Sequence, residues 1–419
     1  MTTETILADT ELFDGGPPRR LETALWLVKP NQPKTVARAA LISIIVWVPL
    51  MLLAAIQSFA IGQDKLTDLL LDFAVHARNL VAVPLFILAE SFTLSTLGKT
   101  ARHFVEAELI RDQDRPRFES IAANIRRLLN SKVVEILVVL LAYCTALILI
   151  RLISVETILD WHMLTKERLS FSWAGWWHVL VSIPLILILL FGWLWRLLLW
   201  NVFLWRVSRL DLHLVPAHPD LSGGLQFVGA SLRAFPMLSF ALGAVVAGGV
   251  ANRVVHQGMH LIDFKYIIAT LLVAILIVFV APLMFFTRRI LQARRRGIFE
   301  YGALAGAVGR QMEHKWVERN GSVDDAALDV QHFSATTDLY QVVSNVYQIK
   351  TAPLDLQDLV AVIVAMLLPF GALIFGATLY DEAITTRAVA GAALVATGLL
   401  VAQLRRRPAA AYSASARIP

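Results

Sequence analysis

The chain has 419 residues, 57% of them hydrophobic and 17% charged, with a mean hydropathy of +0.64, whereas an average soluble domain carries roughly 25% charged residues. This excludes a soluble globular protein, so the formal charge of +6 reads as membrane topology and attraction to anionic headgroups, and nucleic acid is not an expected partner. A single cysteine, Cys144, excludes an intrachain disulfide framework or a thiolate metal cluster.

The expected class is an all-α polytopic integral membrane protein. Residues 1–38 form a polar tail without the basic start and apolar core of a secretory signal. Crossing the hydrocarbon layer as a helix takes roughly 20 apolar residues. Spans 1 and 2 are expected within 39–98, at 39–62 and 79–98, the second led in by the amphipathic "LTDLLLDFAVHAR". A basic segment, 99–132, reads as two short amphipathic helices broken at Pro116, with Phe118, Ile121, Ile125 and Leu128 on one face.

Spans 3 to 5 occupy 133–251, at 133–153, 173–200 and 225–251, the last two joined by the turn "HLVPAHPDLSGGLQF". Trp173, Trp176 and Trp177 at one end of span 4, and Trp193, Trp195, Trp200 and Trp205 at the other, have the placement of interfacial anchoring belts. An external loop and span 6 fill 252–286. A second basic segment, 287–358, contains the polar "VERNGSVDD" and a helix placing Leu339, Val342, Val346 and Ile349 at helical spacing. Spans 7 and 8 are expected within 359–404, before a basic tail at 405–419.

Eight alternating spans put the arginine-rich connections on one side, so both termini and the "HPDLSGG" turn are expected in the cytoplasm. This placement divides the chain into halves of four spans, with prolines at Pro49 and Pro84 and again at Pro236 and Pro282, although residue-level similarity between the halves is poor. The small-residue runs "GAVVAGGVA" and "GLQFVG" suit close helix approach, either within the chain or in a homo-oligomer.

Ionisable residues inside a span default to a functional hypothesis. Glu135, Arg151, Arg196 and His178 lie near span ends, where snorkelling or interfacial solvation accounts for them. Glu90 and Arg233 lie eight residues from the cytoplasmic ends of spans 2 and 5, about 12 Å deep at the helical rise. They are the expected intramembrane pair. In the turn, Asp220 or Ser222 can cap the first amides of span 5, while Gly223 and Gly224 permit positive φ. Together with His218, the same amides offer an alternative site for an anion or lipid headgroup.

His256, His260 and Asp263, and likewise His213, His218 and Asp220, cluster without a metal-binding spacing signature. No phosphate loop, nucleophile elbow or catalytic carboxylate pair is visible, so no cofactor, metal or enzymatic activity is expected.

The turn "HPDLSGGLQFVG", and "FSATTDLYQVVSNVYQIKTAPLD" before a proline-containing span, make the second half of the chain resemble a group of uncharacterised bacterial multi-spanning membrane proteins. The resemblance implies a bacterial inner-membrane location and brings no activity with it. The functional expectation is solute or ion transport, with an embedded scaffold or sensor that docks a protein partner through its cytoplasmic segments as the alternative.

Overall fold

The computed structural model describes residues 12–13, 15–17, 35–62, 64–152, 160–165, 170–314 and 331–379. The chain is an all-α polytopic membrane protein: among the described residues, seven helical stretches are long and apolar enough to cross a membrane. The expected eighth span, 388–404, lies outside the described residues.

The helices are α1 (Thr35–Ile61), α2 (Phe73–Glu106), α3 (Arg115–Leu129), α4 (Lys132–Leu152), α5 (Trp173–Val207), α6 (Pro236–Gln257), α7 (Lys265–Phe279), α8 (Thr287–Met312), α9 (Gln331–Tyr347) and α10 (Leu356–Leu379). A two-stranded hairpin, β1 (Met163–Thr165) and β2 (Ser170–Phe171), precedes α5. The most apolar windows of α2, α5 and α6 are 56, 50 and 50% buried, against 17 to 28% in the other spans, so these three form the centre of the bundle. In α4 only Val138, Ala142 and Ala146, one helical stripe, are buried, and Ile136, Leu137, Leu140 and Leu141 face outward, as suits a helix against lipid.

α2 and α5 share one build, 100 positions apart. Asp72 and Ser172 cap them, accepting from Val75 N at 3.0 Å and Gly175 N at 2.8 Å. A short α-helical turn follows, then a π-helical stretch (Ala77–Ala82 and His178–Ser182), then an α-helix with Pro84 or Pro184 in its first turn. The sequences "FAVHARNLVAVPL" and "WAGWWHVLVSIPL" carry this pattern. The repeated feature is therefore the opening of these two single spans, not the four-span half suggested by the prolines.

A proline within a helix removes the N–H that would reach the carbonyl four residues earlier, and in hydrocarbon that carbonyl needs another donor. Three such carbonyls find one on a neighbouring helix. Pro49 releases Ile45 O, which accepts from Trp177 Nε1 at 3.3 Å; Pro184 releases Leu180 O, which accepts from the Tyr143 hydroxyl at 3.2 Å; Pro282 releases Val278 O, which accepts from Asn201 Nδ2 at 3.4 Å.

Several local expectations change. Pro116 begins α3 and does not break a helix, because its missing N–H falls among the first-turn amides that have no intrahelical acceptor; the break comes earlier, at Glu108, whose φ is +52°. The buried face of α3 is Phe118, Ala122, Ile125 and Leu129, with Leu128 exposed. Trp173, Trp176 and Trp205 are exposed, as in a belt, but Trp193 and Trp200 are core residues and Trp193 Nε1 donates to Phe86 O at 3.0 Å.

Three glycines of the runs expected for helix approach make close contacts within the chain. Gly243 lies on the Met366 carbonyl of α10, Gly248 on Ala77 and the Phe73 carbonyl, and Gly229 on the Pro353 carbonyl; a Cβ at any of them would collide. At the basic end of the bundle the connections form a layer. Ile110 bridges Leu212, His213 N donates to Leu109 O at 2.9 Å, and Arg296 donates to Leu214 O at 3.0 Å. Arg294 donates to Tyr347 O at 2.9 Å, and Lys350 N to Leu221 O at 2.8 Å. In α9 and the residues after it, Val343, Val346 and Ile349 are buried.

Deleting one hydroxyl tests the proline rule. Tyr143→Phe is expected to lower stability in detergent by about 1 kcal/mol, the scale of interhelical hydrogen bonds in membranes. In a Pro184→Ala background, where a backbone N–H returns to Leu180 O, the same substitution is expected to cost nothing measurable by thermal unfolding. An equal cost in both backgrounds would sever the link between proline and hydroxyl.

Candidate functional site

Glu90 lies at the middle of α2, 17 residues from Phe73 and 16 from Glu106, and only 7% of it is exposed. An isolated carboxylate in such a place is prohibitively costly to ionise. It is bracketed by two guanidiniums. Arg38 of α1 bonds Glu90 Oε2, and Arg196 Nη1 of α5 lies 2.9 Å from Oε1. Arg196 is itself 2% exposed, so a snorkelling role is replaced by a buried ion pair. The remaining donors of Arg196 reach the carbonyl of Gly15 from Nε at 3.3 Å and Nη2 at 3.2 Å.

Gly15 belongs to the N-terminal segment, which is seated on the bundle by Phe13. That ring is fully buried, with ring centroids 5.4 Å from Trp200 and 6.0 Å from Phe203 in edge-on contacts. Gly15 and Gly16, at φ of +121° and +83°, carry the backbone past Asn130 and Leu129 where side chains would collide. Little in the sequence marks this segment: a lone phenylalanine in a polar tail has no periodicity, and only "FDGGPP" signals a tight turn.

The expected Glu90–Arg233 pair is not formed. Arg233 Nε bonds Asp358 Oδ1 at 2.6 Å at the start of α10, and its side chain is 64% exposed. The cause is local structure. The expected fifth span does not begin at 225: Gln226–Ala230 and Ser231–Ala234 are two short helical turns, and the long helix starts at Pro236, which leaves Arg233 outside it. The two elements do meet one turn beyond Glu90, where the Thr93 hydroxyl donates to Ala234 O at 2.8 Å.

In the turn, Asp220 does the capping. Its carboxylate accepts from Ser222 N at 2.9 Å, Gly224 N at 3.1 Å and Gln226 N at 3.0 Å, so these three amides are already taken. Ser222 Oγ turns to Gln226 Oε1 at 3.0 Å, and His218 Nδ1 lies 2.8 Å from Asp220 Oδ1. Gly223 and Gly224 have φ of +69° and +96°, as the turn requires. Burial works to raise the Asp220 carboxyl, but the amides of Gln226, Ser222 and Gly224 with His218 outweigh it and hold it below its ordinary value.

A second buried polar cluster occupies the far end. Asp72 accepts from Trp161 Nε1 at 3.0 Å and Asn252 Nδ2 at 2.8 Å besides its own helix cap. Trp47 Nε1 donates to His76 Nδ1 at 3.1 Å. His178 is 2% exposed, not at a solvated interface, and packs its ring against those of Trp161 and His162; its Nδ1 has no hydrogen-bond partner among the described residues. Among the described residues no group of three histidine, cysteine or acidic side chains is placed to hold a metal. His260 and Asp263 instead cap the turn before α7, and His256 bonds Asn252 O at 3.0 Å.

Double-mutant cycles separate these pairs. Glu90→Leu is expected to cost about 3–5 kcal/mol by stranding guanidiniums, and to couple strongly to Arg196→Leu. Combined with Arg233→Leu it is expected to be additive within about 0.5 kcal/mol in detergent unfolding. Coupling to Arg233 and none to Arg196 would reverse the assignment.

Asp220→Asn, which leaves one acceptor oxygen where the carboxylate uses two, is expected to cost about 1 kcal/mol at neutral pH through loss of charge-assisted hydrogen bonds. Because folding lowers this carboxyl's pKa, its stabilisation is complete above the unfolded value of about 3.9 and disappears as pH falls through the lower folded value. The gap between wild type and variant should therefore close only below about pH 4, and a gap closing near neutrality would contradict this. Comparison with protein families, with curated proteins and with solved structures finds no match to this chain.

Proposed function

We propose that this chain is a solute or ion transport protein of the bacterial inner membrane, with its basic end and both termini in the cytoplasm. The observation that carries the reading is the same polar, apolar, polar sequence along three packed helices. Each bears a buried polar group toward the far end (Gln57 on α1, His76 on α2, His178 on α5) and a charged residue toward the basic end (Arg38, Glu90, Arg196). Between them lie Ile42 and Val46, then Val83, Phe86 and Ile87, then Ile186 and Leu189, all buried. Buried charge in a membrane helix is retained where it serves a pathway.

On this reading the structure is a closed state. The ion triad and the Phe13–Gly15 segment seal the basic end, and the apolar layer separates it from the Asp72–His178 cluster. The arginine-rich connections at the basic end support its cytoplasmic assignment. No catalytic step, cofactor or nucleic acid enters the reading. A scaffold reading has one observation of its own: Phe299, 78% exposed, stands on the arginine-rich helix α8 as a docking residue would.

Flux from proteoliposomes of the purified protein tests the proposal. Wild type is expected to show slow flux of at least one ion or small solute above empty vesicles, and Phe13→Ala, which unseats the tail, is expected to raise it several-fold. Silence of both proteins across cations, anions, protons and small organic solutes would favour the scaffold.

A further inference from the structure

At the basic end, between the last turn of α5 and the start of α8, lies a cleft of about 520 Å³ lined by both apolar and cationic side chains. Its apolar wall is Trp205 and Phe285, 41 and 38% exposed at the ends of their apolar stretches. Its rim carries Arg209, Arg288 and Arg289. Arg289 is committed to structure: Nε and Nη2 donate to Ser208 O at 3.3 Å and Arg209 O at 3.0 Å, and Nη1 lies 3.9 Å from Asp211, which also pairs with Arg111 at 2.6 Å.

Arg209 and Arg288 differ. Both are exposed, and neither is ion-paired among the described residues; the Arg209 guanidinium lies 4.1 Å from the centre of the Trp205 ring, which holds its plane at the cleft. A stacked arginine beside a second arginine one helix away is a fork for phosphate oxygens, and the committed Arg289 keeps the two helix ends at fixed spacing. Gln292, one turn beyond Arg288, adds an amide to the polar rim.

We propose that this cleft binds a phosphate ester, with Arg209 and Arg288 on the phosphate oxygens and the attached apolar part against Trp205 and Phe285. A wall of exposed aromatics beside paired guanidiniums, at the end of two membrane-crossing stretches, fits the headgroup and upper chain of an anionic phospholipid; a soluble phosphate monoester shares the recognition chemistry. The site owes nothing to the transport reading, since it lies on the outer surface of the bundle.

Native mass spectrometry in mild detergent, with phosphatidylglycerol titrated in, reads this out. Wild type is expected to retain one tightly held phosphatidylglycerol. Arg209→Gln with Arg288→Gln is expected to weaken that adduct about thirtyfold, the scale of two juxtamembrane cations. Arg126→Gln with Arg127→Gln on α3, the same change in net charge, is expected to leave it intact, and Arg209→Lys to lose part of the binding through loss of the fork. Equal loss in the α3 control would reduce the effect to general charge, and no loss in the cleft variant would refute the site. Unchanged melting temperatures establish that the variants are folded. Displacement of the lipid by millimolar glycerol phosphate or inorganic phosphate would support the site with a soluble source; failure to displace it would support the site with a lipid source.

Discussion

A carboxylate in the middle of a membrane-embedded bundle imposes an order on everything near it. Glu90 must be paired, and the pairing draws Arg38 from the start of α1 and Arg196 from the second half of α5 to one level. Once three helices are fixed at that level, the unused donors of Arg196 face the basic end and need an acceptor. The carbonyl of Gly15 supplies it, with Phe13 as the apolar anchor that brings it there. The charge inside the membrane and the tail outside the apolar runs are parts of one arrangement.

The same demand, that no polar group stay alone where water is absent, explains why prolines and polar side chains are distributed as they are. Each of Pro49, Pro184 and Pro282 releases a carbonyl, and in each case a tryptophan, tyrosine or asparagine from an adjacent helix donates to it. These contacts tie α1 to α5, α5 to α4 and α7 to α5, so the helix breakers specify which helices are neighbours. The capped, π-helical openings of α2 and α5 use the idea twice, with Asp72 and Ser172 satisfying first-turn amides far from bulk solvent. Two polar clusters with an apolar layer between them are the result, and that pattern is what supports a transport reading.

The spans were legible because a run of about twenty apolar residues has few other uses. Helix ends were less so: α2 continues to Glu106, past the point where composition turns polar, and α5 to Val207, beyond its expected end at 200, with Phe203, Leu204 and Val207 buried in the core. Glu90 stood out in the sequence through its depth. Its partner did not, since matching depth says nothing about which helices touch; Arg38 read as tail and Arg196 as snorkelling. The Asp220 cap was legible from residue type, but whether its amides stayed open to a ligand depended on where the carboxylate turned. The signal most usefully overlooked was the 100-residue echo between "FAVHARNLVAVPL" and "WAGWWHVLVSIPL", whose polar caps and prolines point to the far-end cluster.

Phe13 and the Gly15 backbone are docked on the ion-paired bundle, and distance between engineered thiols measures that docking directly. Cys144, the single native cysteine, is replaced by serine, and cysteines are placed at Leu12, beside the retained Phe13 anchor, and at Asn130, which lies against Gly15. In native membranes a short bifunctional thiol reagent is expected to join them within one chain, and Arg196→Met, which removes the donors to Gly15, is expected to reduce that joining sharply. Failure of the 12–130 pair to cross-link, with a control pair inside α1 and α2 reacting normally, would show that the tail is not seated and that the triad does not hold it.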